Sequence, residues 1–207
     1  MDFLRTLPRA KLDARLQAMR ESAKGRRDPA AEDDTLQFLL AAARMRRPEH
    51  ILEIGTAEGL SSVALLLECP YARVTTVEAE EPLWRQAQAN FASFGVQDRA
   101  EAILGDAADV LPALSGPFDL IFLDGPKAQY IRYLPQLKRL LSPCGVLFAD
   151  DVLLYGWVSG REEAPLKRRA LVRKLREYLR PVCEDPDFIT NVFEIGEGVA
   201  DVLSGSF

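Results

Sequence analysis

The sequence has little of what most metal and nucleophile centres are built from. Its 207 residues include a single histidine and only three cysteines. Cys69, Cys144 and Cys183 are far apart and form no C-x-x-C pair, which argues against zinc sites and disulfide frameworks. They read as buried small hydrophobes. His50 precedes a strand and has no second imidazole to work with, so a Ser-His-Asp triad is not expected. No apolar run approaches the roughly 18 residues that a membrane span requires. The opening MDFLRTLPRAKL is charged and lacks the apolar core of a signal peptide. The expected setting is therefore cytoplasmic, with no membrane partner. Internal repeats and low-complexity segments are also missing.

What is present is a globular composition, 48% hydrophobic and 28% charged, in a chain long enough for one α/β core. The net charge of −5 hides a polarised distribution. Residues 1–48 carry 11 basic and 7 acidic side chains, and residues 161–180 carry 8 and 3. Residues 49–160 carry 7 and 15, and residues 181–207 carry none and 6. Two basic flanks thus surround an acidic centre. Most charged helix faces are simply solvated, but an anionic partner such as RNA is permitted.

The pattern alternates between strand and helix. Amphipathic helices are expected over 8–24, with Thr6 as cap, Pro8 early and Leu12, Leu16 and Met19 on one face, and over 31–46 through Leu36, Leu39 and Leu40. Strands are expected at 51–54, 73–78, 100–104, 118–123 and 146–149, and helices at 60–69, 81–94, 107–114, 127–141 and 165–180. Segments 189–195 and 199–203 flank Gly196-Glu197-Gly198 and read as an antiparallel hairpin. This predicts an α/β fold: a mostly parallel seven-stranded sheet, helices on both faces and a C-terminal hairpin.

Ligands of such sheets sit beyond the carboxyl ends of the strands. Those ends carry Glu53, Glu78, Asp106, Asp124, Asp150 and Asp151. ILEIGTAEGLSS, residues 51–62, joins a strand to a helix N-terminus through Gly55 and Gly59, a turn that points backbone N–H groups at a ligand. Gly55 lets the chain leave the strand sharply, and Gly59 allows a close approach to a ligand or a neighbouring strand. A buried Glu53 needs hydrogen bonds from bound polar groups or backbone. Ser61 can bind a ligand carboxylate or serve as a plain helix cap. Glu78 can accept both hydroxyls of a ribose or be a solvated acid. Asp106 and Ala107 offer a carboxylate and an N–H to a base edge. Asp124, Asp150 and Asp151 come from adjacent strand ends if those strands pair. Their repulsion and all-oxygen chemistry suit Mg2+, Mn2+ or Ca2+. Lys127 either has a depressed pKa and acts as a base, or is a surface lysine paired with Asp124.

At these residues the sequence resembles the class I S-adenosylmethionine-dependent, metal-dependent O-methyltransferases, the family of the catechol and caffeoyl-CoA enzymes. EIGTAEGLSS, VEAEEPLWRQA, GDAADVLPAL, FDLIFLDGPKAQY, GVLFADDVLLYGWV and FEIGEGVADVLS follow the family motifs in order over residues 29–203. The resemblance implies a Rossmann-like methyltransferase domain at 29–207 behind a helical extension at 1–28. It implies cofactor contacts by Glu53, Gly55, Ser61, Glu78, Asp106, Ala107 and Asp124. It implies metal ligation by Asp124, Asp150 and Asp151, catalytic roles for Lys127 and Asp124, and a homodimer. DVLLYGWV, RRALVRKLREYL and DPDFITNVFEIGEGV are most similar to bacterial tRNA 5-hydroxyuridine methyltransferases. The expected acceptor is then the tRNA wobble base. A small catechol-like or acyl-CoA phenol is the alternative, and a catalytically silent cofactor- or RNA-binding module the non-enzyme one. Tyr155 and Trp157 can stack on either kind of ring, or simply pack in the core. Asp151 stands where the family usually has Asn, Gly125-Pro126 replaces small residues, and Asp28 to Glu32 is more acidic than the usual lid segment. The expected ligand cavity is bordered by Glu53 and Glu78, and the stripe on helix 8–24 is either exposed for dimerisation or packed on its own domain.

Overall fold

Short runs rich in Val, Ile, Leu and Phe, each closed by glycine or an acid, fold into seven strands of one sheet. These are β1 (His50–Ile54), β2 (Arg73–Glu78), β3 (Ala100–Leu104), β4 (Phe118–Leu123), β5 (Leu141–Ala149), β6 (Phe188–Phe193) and β7 (Val199–Ser204). They lie in the order β3-β2-β1-β4-β5-β7-β6. All neighbouring pairs are parallel except those made by β7, which runs against both β5 and β6. The computed structural model describes residues 13–23 and 33–205. Among them the helices are α1 (Ala14–Ala23), α2 (Asp33–Arg46), α3 (Leu60–Glu68), α4 (Glu81–Ser93), α5 (Ala107–Val110), α6 (Tyr130–Leu140) and α7 (Arg169–Glu184). No helix among the described residues is long and apolar enough to cross a membrane.

Strand side chains alternate between two apolar layers. Ile51, Leu120, Phe122 and Phe148 face α1 to α4, where Leu16, Leu36, Leu39, Leu65 and Phe91 meet them. Leu52, Ile54, Ile121, Leu123 and Leu147 face the other layer, with Tyr130, Leu137, Leu175 and Tyr178 from α6 and α7. Leu16 is 2% exposed, and Met19 packs partly buried against the same cluster. The described part of the stripe, Leu16 and Met19, therefore packs on the chain's own domain, where α1 meets α3. Thr6, Pro8, Leu12, the Asp28-to-Glu32 segment and the boundary between residues 28 and 29 lie outside the described residues.

Several element boundaries differ from expectation, among them that of the helix expected at 107–114, which ends at Val110 and continues as a 3-10 turn, and three others differ for local reasons. β5 begins at Leu141 instead of Val146, because its register to β4 shifts between Phe118 and Leu120. There Ser142-Pro143-Cys144-Gly145 makes an irregular step, with Cys144 at φ 61°. Lys127–Gln129 is a tight 3-10 turn that precedes α6, so Lys127 stands ahead of the helix. α7 continues four residues past Arg180, carrying Pro181 within it, because Val182 remains buried on its apolar face. Only Cys69 fits the expectation of buried thiols; Cys144 and Cys183 are exposed.

The register brings the strand ends level. Ile54 pairs with Val77 and with Leu123, and Leu123 pairs with Ala149. Gly55, Glu78, Asp124 and Asp150 therefore follow at one edge, where the strand order reverses between β1 and β4. Gly55 has φ 97°, and a Cβ there would lie 2.5 Å from the Asp124 carbonyl oxygen. It is thus Gly55 that makes the close approach to a neighbouring strand. Gly59, at φ 81°, meets the Phe91 ring of α4 instead, where a Cβ would come within 2.7 Å. Replacing Gly55 by alanine combines a left-handed backbone with a backbone clash. We expect Gly55→Ala to cost about 2–4 kcal/mol of stability, read as a fall in urea midpoint at unchanged slope. A loss below about 0.5 kcal/mol contradicts the close approach.

Candidate active site

Glu53 is the most enclosed acid at the rim, fully buried between β1 and α3. It accepts hydrogen bonds from the hydroxyls of Ser61 and Ser62 on α3 and from Thr76 Oγ1 at 2.7 Å on β2. Thr56 Oγ1 lies 2.6 Å from Thr76 Oγ1 and extends the group. The partners expected from a ligand or from backbone are thus supplied by the chain's own hydroxyls. Ser61 is neither a helix cap nor free, since its hydroxyl donates to Glu53. Burial pushes the Glu53 carboxyl up to about 7, against the three hydroxyls that favour its charged form and with Asp124 adding to the rise. Glu53 has no exposed surface, so it borders no cavity in this structure.

Glu78, at the end of β2, accepts the N–H of Ala57 at 2.8 Å and that of Glu80 at 2.9 Å. It therefore fixes the glycine turn, in which Ala57 has φ 46°, as well as standing at the rim. Asp106 caps the short α5 through the Ala108 N–H at 2.8 Å and is exposed, while Ala107 is buried. Glu53, Gly55, Ser61 and Glu78 are thus gathered at the β1–β2 end, and Asp106 and Ala107 follow β3 beside them.

Across the switch point, Asp124 and Asp151 flank one lysine, with Asp150 beside them. Lys127 Nζ lies 2.7 Å from Asp124 Oδ1 and 3.0 Å from Asp151 Oδ2. Burial alone would lower the Lys127 pKa, but Tyr130, Asp124 and Asp151 outweigh it and hold the ammonium well above its ordinary value. In the chain alone two carboxylates flank the nitrogen and favour its charged form, the arrangement of the paired-lysine reading. Asp150 Oδ1 accepts the Asp151 N–H at 2.8 Å and lies 3.4 Å from Thr35 Oγ1 of α2. Burial, then Asp124 and Asp151, push the Asp150 carboxyl upward. Among the described residues no three carboxylates already converge as a metal cage. Asp151 has φ 56°, a region that Asn and Asp tolerate better than other side chains, which accounts for a short polar residue there.

Several residues of this site carry no signal in the sequence. Tyr130 Oη is buried within reach of the carbonyl oxygens of Leu123 at 3.0 Å and Asp150 at 3.2 Å, fastening the ends of β4 and β5. Thr35 and Ser62 read as ordinary helix positions. Thr76 becomes legible only through the register that sets it opposite Glu53. In the loop after β5, Tyr155 is 62% exposed and Trp157 partly buried, with ring centroids 4.8 Å apart. His50 stands at the opposite, amino-terminal end of β1. A cavity of about 510 Å³ opens between α1, Glu58 and α4, lined by residues including Arg15, Met19, Gln86 and Phe94. Neither Glu53 nor Glu78 lines this cavity.

Comparison with known proteins bears on the family and the fold. A family model described as a methyltransferase domain matches residues 52–152. A catechol O-methyltransferase of Mycobacterium tuberculosis is 35% identical over 140 residues, 65% of this chain and 64% of that protein. A provisionally named O-methyltransferase of Mycobacterium avium is 30% identical over 190 residues, 90% of this chain and 84% of that one. The crystal structure of TomG, an O-methyltransferase of Streptomyces achromogenes involved in tomaymycin synthesis, was solved with S-adenosylmethionine. It superposes with a TM-score of 0.83 at 27% identity, covering 95% of this chain and 92% of that one. The chain spans 64%, 49% and 58% of the lengths of three of the curated relatives it matches.

The Glu53 cage has a consequence for stability. Its folded-state pKa of about 7 lies above the ordinary 4.5. Between these values the folded chain keeps a proton that the unfolded chain releases, so this contribution is complete below about pH 4.5 and is lost as pH rises to about 7. The loss is at most about 3 kcal/mol. Glu53→Gln removes the titration, so the variant's stability relative to the parent chain should improve between pH 5 and pH 8. Urea unfolding at both pH values measures it, and a constant difference between the two proteins rejects it.

Proposed function

The chain belongs to the class I O-methyltransferase family, and from that premise we propose that it transfers the methyl group of S-adenosylmethionine to the acidic hydroxyl of an aromatic acceptor. The observation that carries this reading is the level edge formed by the ends of β1, β2, β4 and β5. It sets a carboxylate-and-hydroxyl half, Ser61 and Glu78, beside a second half made of Asp124, Lys127, Asp150 and Asp151. The first half has the chemistry to hold an adenosyl ligand, with Glu78 as ribose acceptor and Asp106 and Ala107 at the base. Glu53 acts through Ser61, Ser62 and Thr76 instead of touching the ligand.

Bound to this rim, the sulfonium cofactor supplies an electrophilic methyl carbon for in-line displacement by an oxygen. The chain's own contribution is orientation and charge. Holding oxygen, carbon and sulfur in line accounts for much of the acceleration. The Lys127 ammonium, fixed between Asp124 and Asp151, stabilises the acceptor oxygen as it becomes anionic. Asp124, Asp150 and Asp151 offer hard oxygen donors, and buried Asp150 carries more repulsion than the one lysine offsets. That donor set fits Mg2+, Mn2+ or Ca2+, with Lys127 yielding one of its carboxylates. A divalent ion held by these carboxylates would lower the pKa of the acceptor hydroxyl and stabilise its negative charge.

A catechol-type ring is the favoured acceptor, supported by the M. tuberculosis relative's name and by the exposed Tyr155 face. The second reading, the tRNA wobble hydroxyuridine, is supported by Lys167, Arg168, Arg169, Arg173 and Arg180, all exposed on or beside α7. Incubation with methyl-labelled cofactor and either catechol or deproteinised RNA separates the two, and label in neither fraction favours a silent binding module.

The metal reading predicts that EDTA abolishes labelling of the acceptor and that Mg2+ restores it. Asp124→Ala should lower kcat by about 100-fold or more and lose the response to Mg2+. Full turnover of that variant in EDTA excludes the metal role.

A further inference from the structure

The loop that follows β5 has a backbone shape it does not hold by itself. Asp151, Leu154 and Tyr155 have φ of 56°, 43° and 54°, a region that residues with side chains rarely adopt. The tip of the β6–β7 hairpin holds them there. Val152 N–H donates to the Gly198 carbonyl, and Leu153 and Leu154 N–H both donate to the Glu197 carbonyl, each at 2.9 Å. The next N–H, that of Tyr155, donates to the Glu197 carboxylate. Gly198, at φ 97°, lies so close that a Cβ would be driven into Leu153.

Topology explains why the tip reaches this loop. β7 is antiparallel to β5 with Ala200 opposite Ala149, so Glu197 and Gly198 return to the edge beside Asp150. The far end of the loop is tied separately. Arg161 pairs with Glu194, and Arg176 of α7 donates to the carbonyls of Val158 at 2.9 Å and Trp157 at 3.2 Å. Tyr155 is therefore both the most exposed ring of the loop and the residue whose backbone the Glu197 side chain grips.

We propose that Glu197 is a positioning residue for the methyl acceptor: by fixing the Tyr155 backbone it sets the Tyr155–Trp157 pair that receives the acceptor ring. This rests on the aromatic-acceptor reading above. The cofactor half stands on β1, β2 and β3, with β4 and β5 between it and the hairpin. A change at Glu197 thus acts on one substrate and spares the other.

The test uses the full chain with Glu197→Ala and Glu197→Gln. Glutamine keeps a side-chain oxygen for the Tyr155 N–H, whereas alanine removes it. Three quantities are read: hydrogen exchange at the Tyr155 amide, the Kd of S-adenosylhomocysteine, and kcat and KM for pyrocatechol with Mg2+. Glu197→Ala should speed exchange at Tyr155 and raise the pyrocatechol KM about tenfold, the scale of one lost charge-assisted hydrogen bond. Glu197→Gln should restore both, and the S-adenosylhomocysteine Kd should stay within about twofold in either variant. An unchanged KM, a Kd that moves with the KM, or a glutamine variant as impaired as the alanine one overturns the proposal. Should the parent chain fail to methylate pyrocatechol, the acceptor reading falls, and exchange alone decides the role of Glu197 in holding the loop. Unchanged exchange at Tyr155 in the alanine variant then rejects that role as well.

Discussion

Two backbones pass each other without a side chain between them where β1 and β4 end, and the rest of the edge depends on that approach. Gly55 makes it possible, since any Cβ there would meet the Asp124 carbonyl. The Asp124 N–H donates to the Ile54 carbonyl at 2.9 Å, and the Asp150 N–H to that of Leu123 at 3.0 Å. Ladder geometry thus runs one step past the strands and carries the acids with it. Polar groups from four chain segments consequently line up along one edge, as the reversal of strand order at a switch point allows.

The two halves of that edge handle negative charge differently. On the β1–β2 side a single buried carboxyl is surrounded by hydroxyls, which can donate or accept and so tolerate either protonation state. On the β4–β5 side two carboxylates flank one ammonium while a third, Asp150, is buried beside them, and burial keeps the imbalance from being screened. The first half is a rigid support, the second a place where added positive charge is favourable. A methyl transfer from a cation to an incipient anion needs both characters within a few ångströms.

Rigidity in the loop after β5 comes from outside that loop. Three left-handed residues in five cannot be maintained by local preference, so the C-terminal hairpin supplies the hydrogen bonds that hold them. The reversed β7 has a role here beyond completing the sheet. Tyr130 does similar work within the sheet, joining the carbonyls at the ends of two strands with one buried hydroxyl.

The sequence by itself determined the alternation of strands and helices, the hairpin and the acids at the strand ends, because periodicity and turn chemistry are local. It also located Lys127 beside Asp124, since three residues of a tight turn span that distance. Only the tertiary structure decided what those residues face. Glu53 meets Thr76 through strand register, Thr35 reaches Asp150 across 115 positions, and Glu197 grips a loop 42 residues earlier. The direction of the Lys127 shift was likewise beyond the sequence, because spacing gives one neighbour but not Tyr130 and the second carboxylate, which together with Asp124 outweigh burial. Such contacts follow from packing two layers on one sheet, and no window of neighbouring residues contains them.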